Sequence, residues 1–183
     1  MSEEMLVRHC SPTLAGLKAG NLFSLRGESD QELCASTEDL NRRFSSKGLR
    51  FLTARRSADF VLVYVYRPKM LQAYFQRPEV KSLLVKFGYP WEMPEECVAK
   101  LIRKLRSGAD LPHEIGLFLG YPAEDVRGFI ENKAACWKCA GCWKVYGDVA
   151  AARVLFAKYR KCTEVYCRLY EQGFRLEKLT VAA

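Results

Sequence analysis

Three groups of residues have the types and spacing to do chemistry. The first is Cys136-x2-Cys139-x2-Cys142, in the stretch CWKCAGCWKVYG. A two-residue spacer brings neighbouring sulfurs to one side of a loop, so such thiolates can converge on a zinc ion. Three in a row also resemble the opening of an iron–sulfur cluster ligand run. That run needs a fourth cysteine, followed by proline, where this chain has Tyr146. The missing ligand would then come from Cys162, Cys167, Cys10 or a histidine. The same spacing suits a redox dithiol, although thioredoxin-like sites place theirs at a helix start after a strand. The plain alternative is three reduced thiols in a loop, with no metal.

The second group is His9-Cys10, directly before Ser11-Pro12. Serine as a cap and proline at the first helical position predict a helix from there towards Lys18. A thiol beside such a start feels the positive end of the helix dipole, which favours thiolate. A nucleophilic cysteine also needs a base, and the chain has two histidines, His9 and His113. Adjacent side chains seldom face each other, so His113 is the better partner for Cys10. The plain alternative is a buried thiol next to an exposed imidazole.

The third group lies in LPHEIGLFLGYPAEDVRGFIEN, where His113 and Glu114 would occupy the first turn of a short helix, Pro112 to Leu119. The dipole there favours neutral imidazole, suited to act as a base or a ligand. A second helix, Pro122 to Asn132, follows Gly120-Tyr121, in the outline of a helix-turn-helix. It carries Glu124, Asp125 and Glu131 against Arg127, a poor face for phosphates. A structural helical hairpin fits that charge better.

The elements that position these residues predict a single α+β domain, residues 1–183: a small, mainly antiparallel sheet covered by several helices. Strands are expected near 21–25, 49–54, 59–66 and 143–146. The run Phe60 to Tyr66, β-branched or aromatic almost throughout, reads as a central strand buried on both faces, in a hairpin with its predecessor. Thr37 to Ser46 reads as a helix capped by Thr37 and ended at Gly48. Pro68, Pro78 and Pro94 each open a helix. Asp148 caps a long helix to about Glu171, with Phe174 to Val181 as an edge strand.

The composition excludes some functions. The 183 residues include 49% hydrophobic and 27% charged, ordinary for a globular domain. The formal charge of +8 is spread over both halves in small clusters, a pattern that argues against nucleic acid as a partner. No apolar run approaches the ~20 residues of a membrane helix, and Met-Ser-Glu-Glu opens no secretory signal. A cytoplasmic protein without a membrane partner is expected, its eight cysteines reduced.

The blocks HCSPTLAGLKAGNLF, VYRP, PHEIGLFLGYPAEDVRGFI and WKVYGD followed by KYRKCT resemble a family of bacterial domains of unknown function, found mainly in anaerobic Firmicutes. The resemblance runs from His9 to Leu179 and implies no particular activity. It puts weight on His9, Pro12, Thr13, Lys18 and Asn21, on His113, Glu114 and Gly116, and on Trp143, Lys144 and Tyr146. Cys136 and Cys139 stand outside its pattern.

Two function classes follow. One is a thiol- or metal-dependent protein, with Cys10, His113, His9 and Glu114 as candidate catalytic residues and Cys136, Cys139 and Cys142 as candidate ligands of zinc or an iron–sulfur cluster. The other is a non-catalytic module for a small anionic ligand, nucleic acid or a redox partner protein. In either, Lys18, Asn21, Arg67, Lys144 and Tyr146 are the candidate ligand-binding residues.

Overall fold

The computed structural model describes residues 1–27, 29–108 and 110–182, and its contacts gather into two compact units. The first comprises Met1–Met70 and Lys161–Ala183, the second Leu71–Arg160. The architecture is α+β, with small antiparallel sheets among helices.

In the first unit, helix α1 spans Glu3–Leu14. Ser2 caps it by accepting from the Met5 N–H, and Glu3 and Glu4 suit the positive end of its dipole. The expected start at Ser11-Pro12 is therefore corrected: Pro12 sits inside the helix, near its C-terminal end. Proline removes one helical hydrogen bond, and neighbouring side chains stabilise the backbone around the break. The Ser11 hydroxyl donates to the Val7 carbonyl, and the Asn21 amide donates to that of His9.

Strands β1 (Gly20–Leu25), β2 (Arg50–Arg56) and β3 (Val61–Tyr66) form an antiparallel sheet in the order β1-β3-β2. Every residue of β3 is buried, as its unbroken apolar run requires. Helix α2 (Asp30–Phe44) begins well before Thr37, because Ser29 and Glu32 close a capping box; Thr37 lies mid-helix rather than at a cap. Gly48 takes the left-handed conformation (φ 75°) at the end of the short turn that follows. Leu6, Leu14, Phe44, Phe51 and Val63 centre the core of this unit. Phe174 to Val181 adds no strand. Leu176 and Leu179, three apart, bury one face of a short helix, Leu176–Leu179.

The second unit takes in most of α3 (Pro68–Phe75), then α4 (Pro78–Lys86) and α5 (Pro94–Ser107), each opening at its proline. Helix α6 covers only Ile115–Phe118, so His113 and Glu114 precede it in a turn. Helix α7 (Ala123–Glu131) follows. Strands β4 (Cys139–Ala140) and β5 (Lys144–Val145) make a separate hairpin, so the segment 143–146 does not join the main sheet as expected. Helix α8 (Val149–Glu171), whose residues from Lys161 on belong to the first unit, is preceded by Asp148, whose carboxylate accepts from the Ala150 and Ala151 N–H groups at 2.8 and 3.0 Å. Among the described residues no helix is long and apolar enough to cross a membrane.

Candidate functional site

The N-terminal block serves the fold. Cys10 lies well inside α1 and is fully buried, so the dipole argument for a thiolate fails. Burial pushes its thiol well up, and the Lys18 charge offsets only part of that. His9 is exposed and stacks on Phe23, with ring centroids 5.2 Å apart. The Asn21 side chain bridges the His9 carbonyl and the Thr13 hydroxyl, the latter at 3.1 Å. Lys18 is buried.

Arg67, expected as a ligand contact, is wholly buried. Its guanidinium donates to the carbonyls of Thr13 (2.6 Å), Lys47 (3.1 Å), Leu14 (2.7 Å) and Val181 (2.7 Å). Four of its five N–H groups are thereby occupied by backbone, two of them at the negative C-terminal end of α1.

The second unit places Glu114 in a comparable structural role. Its carboxylate accepts from Lys104 Nζ at 2.5 Å and the Tyr89 hydroxyl at 3.0 Å, and it is buried. Burial pushes the carboxyl up, but the Lys104 ammonium and the hydrogen bonds outweigh it and hold it below the ordinary value.

The remaining candidates meet at a cavity of about 260 Å³ in the second unit, bordered by the turn before α6, by α7 and by β5. His113 and Lys144 line it together with Ile115, Val126, Phe129 and Trp143. Gly116 and Tyr121 also contribute, and a Cβ on Gly116 would come within 2.8 Å of Val126. The short sequence from Gly116 to Val126 can fold back on itself because that position has no side chain.

Asp125 organises this unit around the cavity. One carboxylate oxygen accepts from the Tyr146 and Gly147 N–H groups at 2.7 and 2.8 Å, the other from Trp143 Nε1 at 2.7 Å. These bonds tie the 143–147 segment to α7. Gly128 lets the Tyr146 ring lie against α7, where any Cβ would collide with it. The Tyr146 hydroxyl is buried without a hydrogen-bond partner among the described residues, and burial pushes its pKa up. Trp143 stacks on Tyr121 (4.7 Å, 27°) and meets Phe156 edge-on (4.5 Å, 78°). Sequence reasoning missed Asp125, Tyr121 and Phe129 as parts of this site.

Two polar groups at the cavity remain open. His113 is exposed, touches Phe129 edge-on (5.4 Å, 67°), and forms no hydrogen bond among the described residues. Lys144 Nζ donates to the Ala134 carbonyl at 2.8 Å and lies 3.9 Å from the centre of the exposed Trp137 ring. An ammonium has three donors, so two remain for a ligand.

Cys136 and Cys142 are exposed and Cys139 half-buried. Among the described residues no three His, Cys, Asp or Glu side chains gather closely enough to hold a metal ion.

The chain belongs to a family described as a protein of unknown function (DUF3793), whose model matches residues 6–180. No curated protein and no solved structure matches it.

Proposed function

We propose that this protein is a non-catalytic binding module that holds a small organic anion in the cavity beside α7. One observation carries this reading. The polar groups inside the cavity are occupied by the protein, with Asp125 on three N–H donors and the Trp143 N–H on Asp125, while His113 and Lys144 stay open. An apolar interior with a few convergent polar groups is the usual form of a small-molecule site. The Lys144 ammonium carries donors only and selects a negative acceptor, and the imidazole of His113 can turn its N–H to the same group. The alternative of thiol catalysis loses its activation, because Cys10 is buried in its own core with a raised pKa.

Titration calorimetry with short monocarboxylates, their amides and the matching amines tests this. Acids bind and the neutral and cationic analogues do not. Lys144→Met lowers acid affinity by about ten-fold or more, the loss of one charge-assisted hydrogen bond. Equal binding of acids and amides would overturn the reading.

A further inference from the structure

The walls of this cavity carry information beyond the sign of its ligand. Resting on the anion-binding reading, we infer that the cavity selects a planar aromatic acid, a single ring bearing a carboxylate, over aliphatic acids of the same size.

The lining presents four rings: His113, Tyr121, Phe129 and Trp143. They stand in two pairs, Tyr121 stacked on Trp143 and His113 edge-on to Phe129. Aromatic rings attract a further ring in offset or edge-on geometry beyond what area burial alone supplies. These walls are also set in advance. The Trp143 indole is held at its nitrogen by Asp125 and packed edge-on by Phe156, and the Tyr121 hydroxyl donates to the Cys142 carbonyl at 3.3 Å. A wall that need not reorganise loses little affinity to ordering.

The same hydrogen bonds narrow the ligand class. With the Trp143 N–H and the Tyr121 hydroxyl already engaged, the inner cavity offers ring faces and the aliphatic surfaces of Ile115 and Val126. A sugar or a nucleobase placed there would leave its own polar groups unpaired, which is costly. Size agrees: about 260 Å³ lies just below the ~300–1,000 Å³ of drug-sized sites, room for one ring and a short acid rather than a dinucleotide. With the ring inside, a carboxylate would reach the mouth, where His113 and Lys144 are open.

Benzoate and cyclohexanecarboxylate make the decisive pair, equal in charge and near-equal in size, and differing in planarity and π character. Calorimetry on the full chain is expected to give benzoate about five-fold tighter binding. Phe129→Leu is expected to shrink that ratio towards one, with cyclohexanecarboxylate binding serving as the check that the variant is folded. If both acids bind with equal affinity and both depend on Lys144, the aromatic selectivity is overturned and the anion reading stands. If neither acid binds, the anion reading itself is overturned, and this inference with it.

Discussion

The two units treat their polar residues in opposite ways. In the first, the buried Arg67 turns its donors onto four backbone carbonyls, and Asn21 accepts from the Thr13 hydroxyl and donates to the His9 carbonyl, both in α1. In the second, Asp125 does the same for a carboxylate by accepting three N–H groups, but His113 and Lys144 are left with unoccupied donors beside a cavity. Both units carry polar residues embedded in apolar blocks, and the two patterns look alike as text. The difference lies in partners that sequence spacing does not disclose. A polar group whose every bond is internal stabilises the fold, whereas one left open beside a cavity is available to a ligand.

Arg67→Met gives the largest test of this contrast. It removes a fully buried guanidinium and its four hydrogen bonds to backbone carbonyls, so a stability loss of about 2–4 kcal/mol is expected in urea unfolding. A loss below about 1 kcal/mol would show that the guanidinium is not the clasp its geometry describes. Organic-acid binding should persist in whatever fraction remains folded, because Arg67 belongs to the first unit.

The Lys104–Glu114 pair offers a smaller effect with a pH signature. Glu114 has a lowered pKa in the folded state, so its stabilisation is full above its ordinary value of 4.5. It is lost as pH falls through the lower folded value. The Lys104 side chain is 35% exposed, and solvent screening holds the expected contribution to about 1 kcal/mol. Glu114→Gln should therefore lower stability by that amount at neutral pH and flatten the decline between about pH 5 and 3. An unchanged acid slope would mean that the pair contributes nothing in solution.

Much of the fold is legible in the chain because it depends on local chemistry. The β-branched run of β3 allows few other structures, Pro68, Pro78 and Pro94 open helices, and Asp148 caps α8. The failures share a cause. Ser11-Pro12 has the local form of a helix start, yet Ser2 begins the helix, and around the proline the Ser11 hydroxyl and the Asn21 amide of β1 bond helix carbonyls. Asp125 sits in an acidic helix and reads as a solvated charge, until the backbone of Tyr146 and Gly147 folds onto it from far along the chain. His113 and Lys144 were identifiable as candidates, but the rings that surround them were not, because Phe129 and Tyr121 look like ordinary helix-hairpin packing. Cys10 and His113 each have a convincing local context for catalysis, and the fold assigns them to different units.

The smallest effect on stability tests the contrast from the other side. His113 is exposed and touches Phe129 by one edge-on contact, with no hydrogen bond among the described residues. Its removal should therefore leave the fold almost untouched. His113→Ala is expected to change unfolding free energy by no more than about 0.5 kcal/mol, the range of surface substitutions. Its effect on organic-acid affinity should be several times larger in free energy, because a donor at the cavity mouth is lost. A residue that stabilised the fold would show the reverse order. If His113→Ala destabilised the protein by more than it weakened acid binding, the imidazole would belong with Arg67 as part of the scaffold, and the distinction between the two units would fail at its sharpest point.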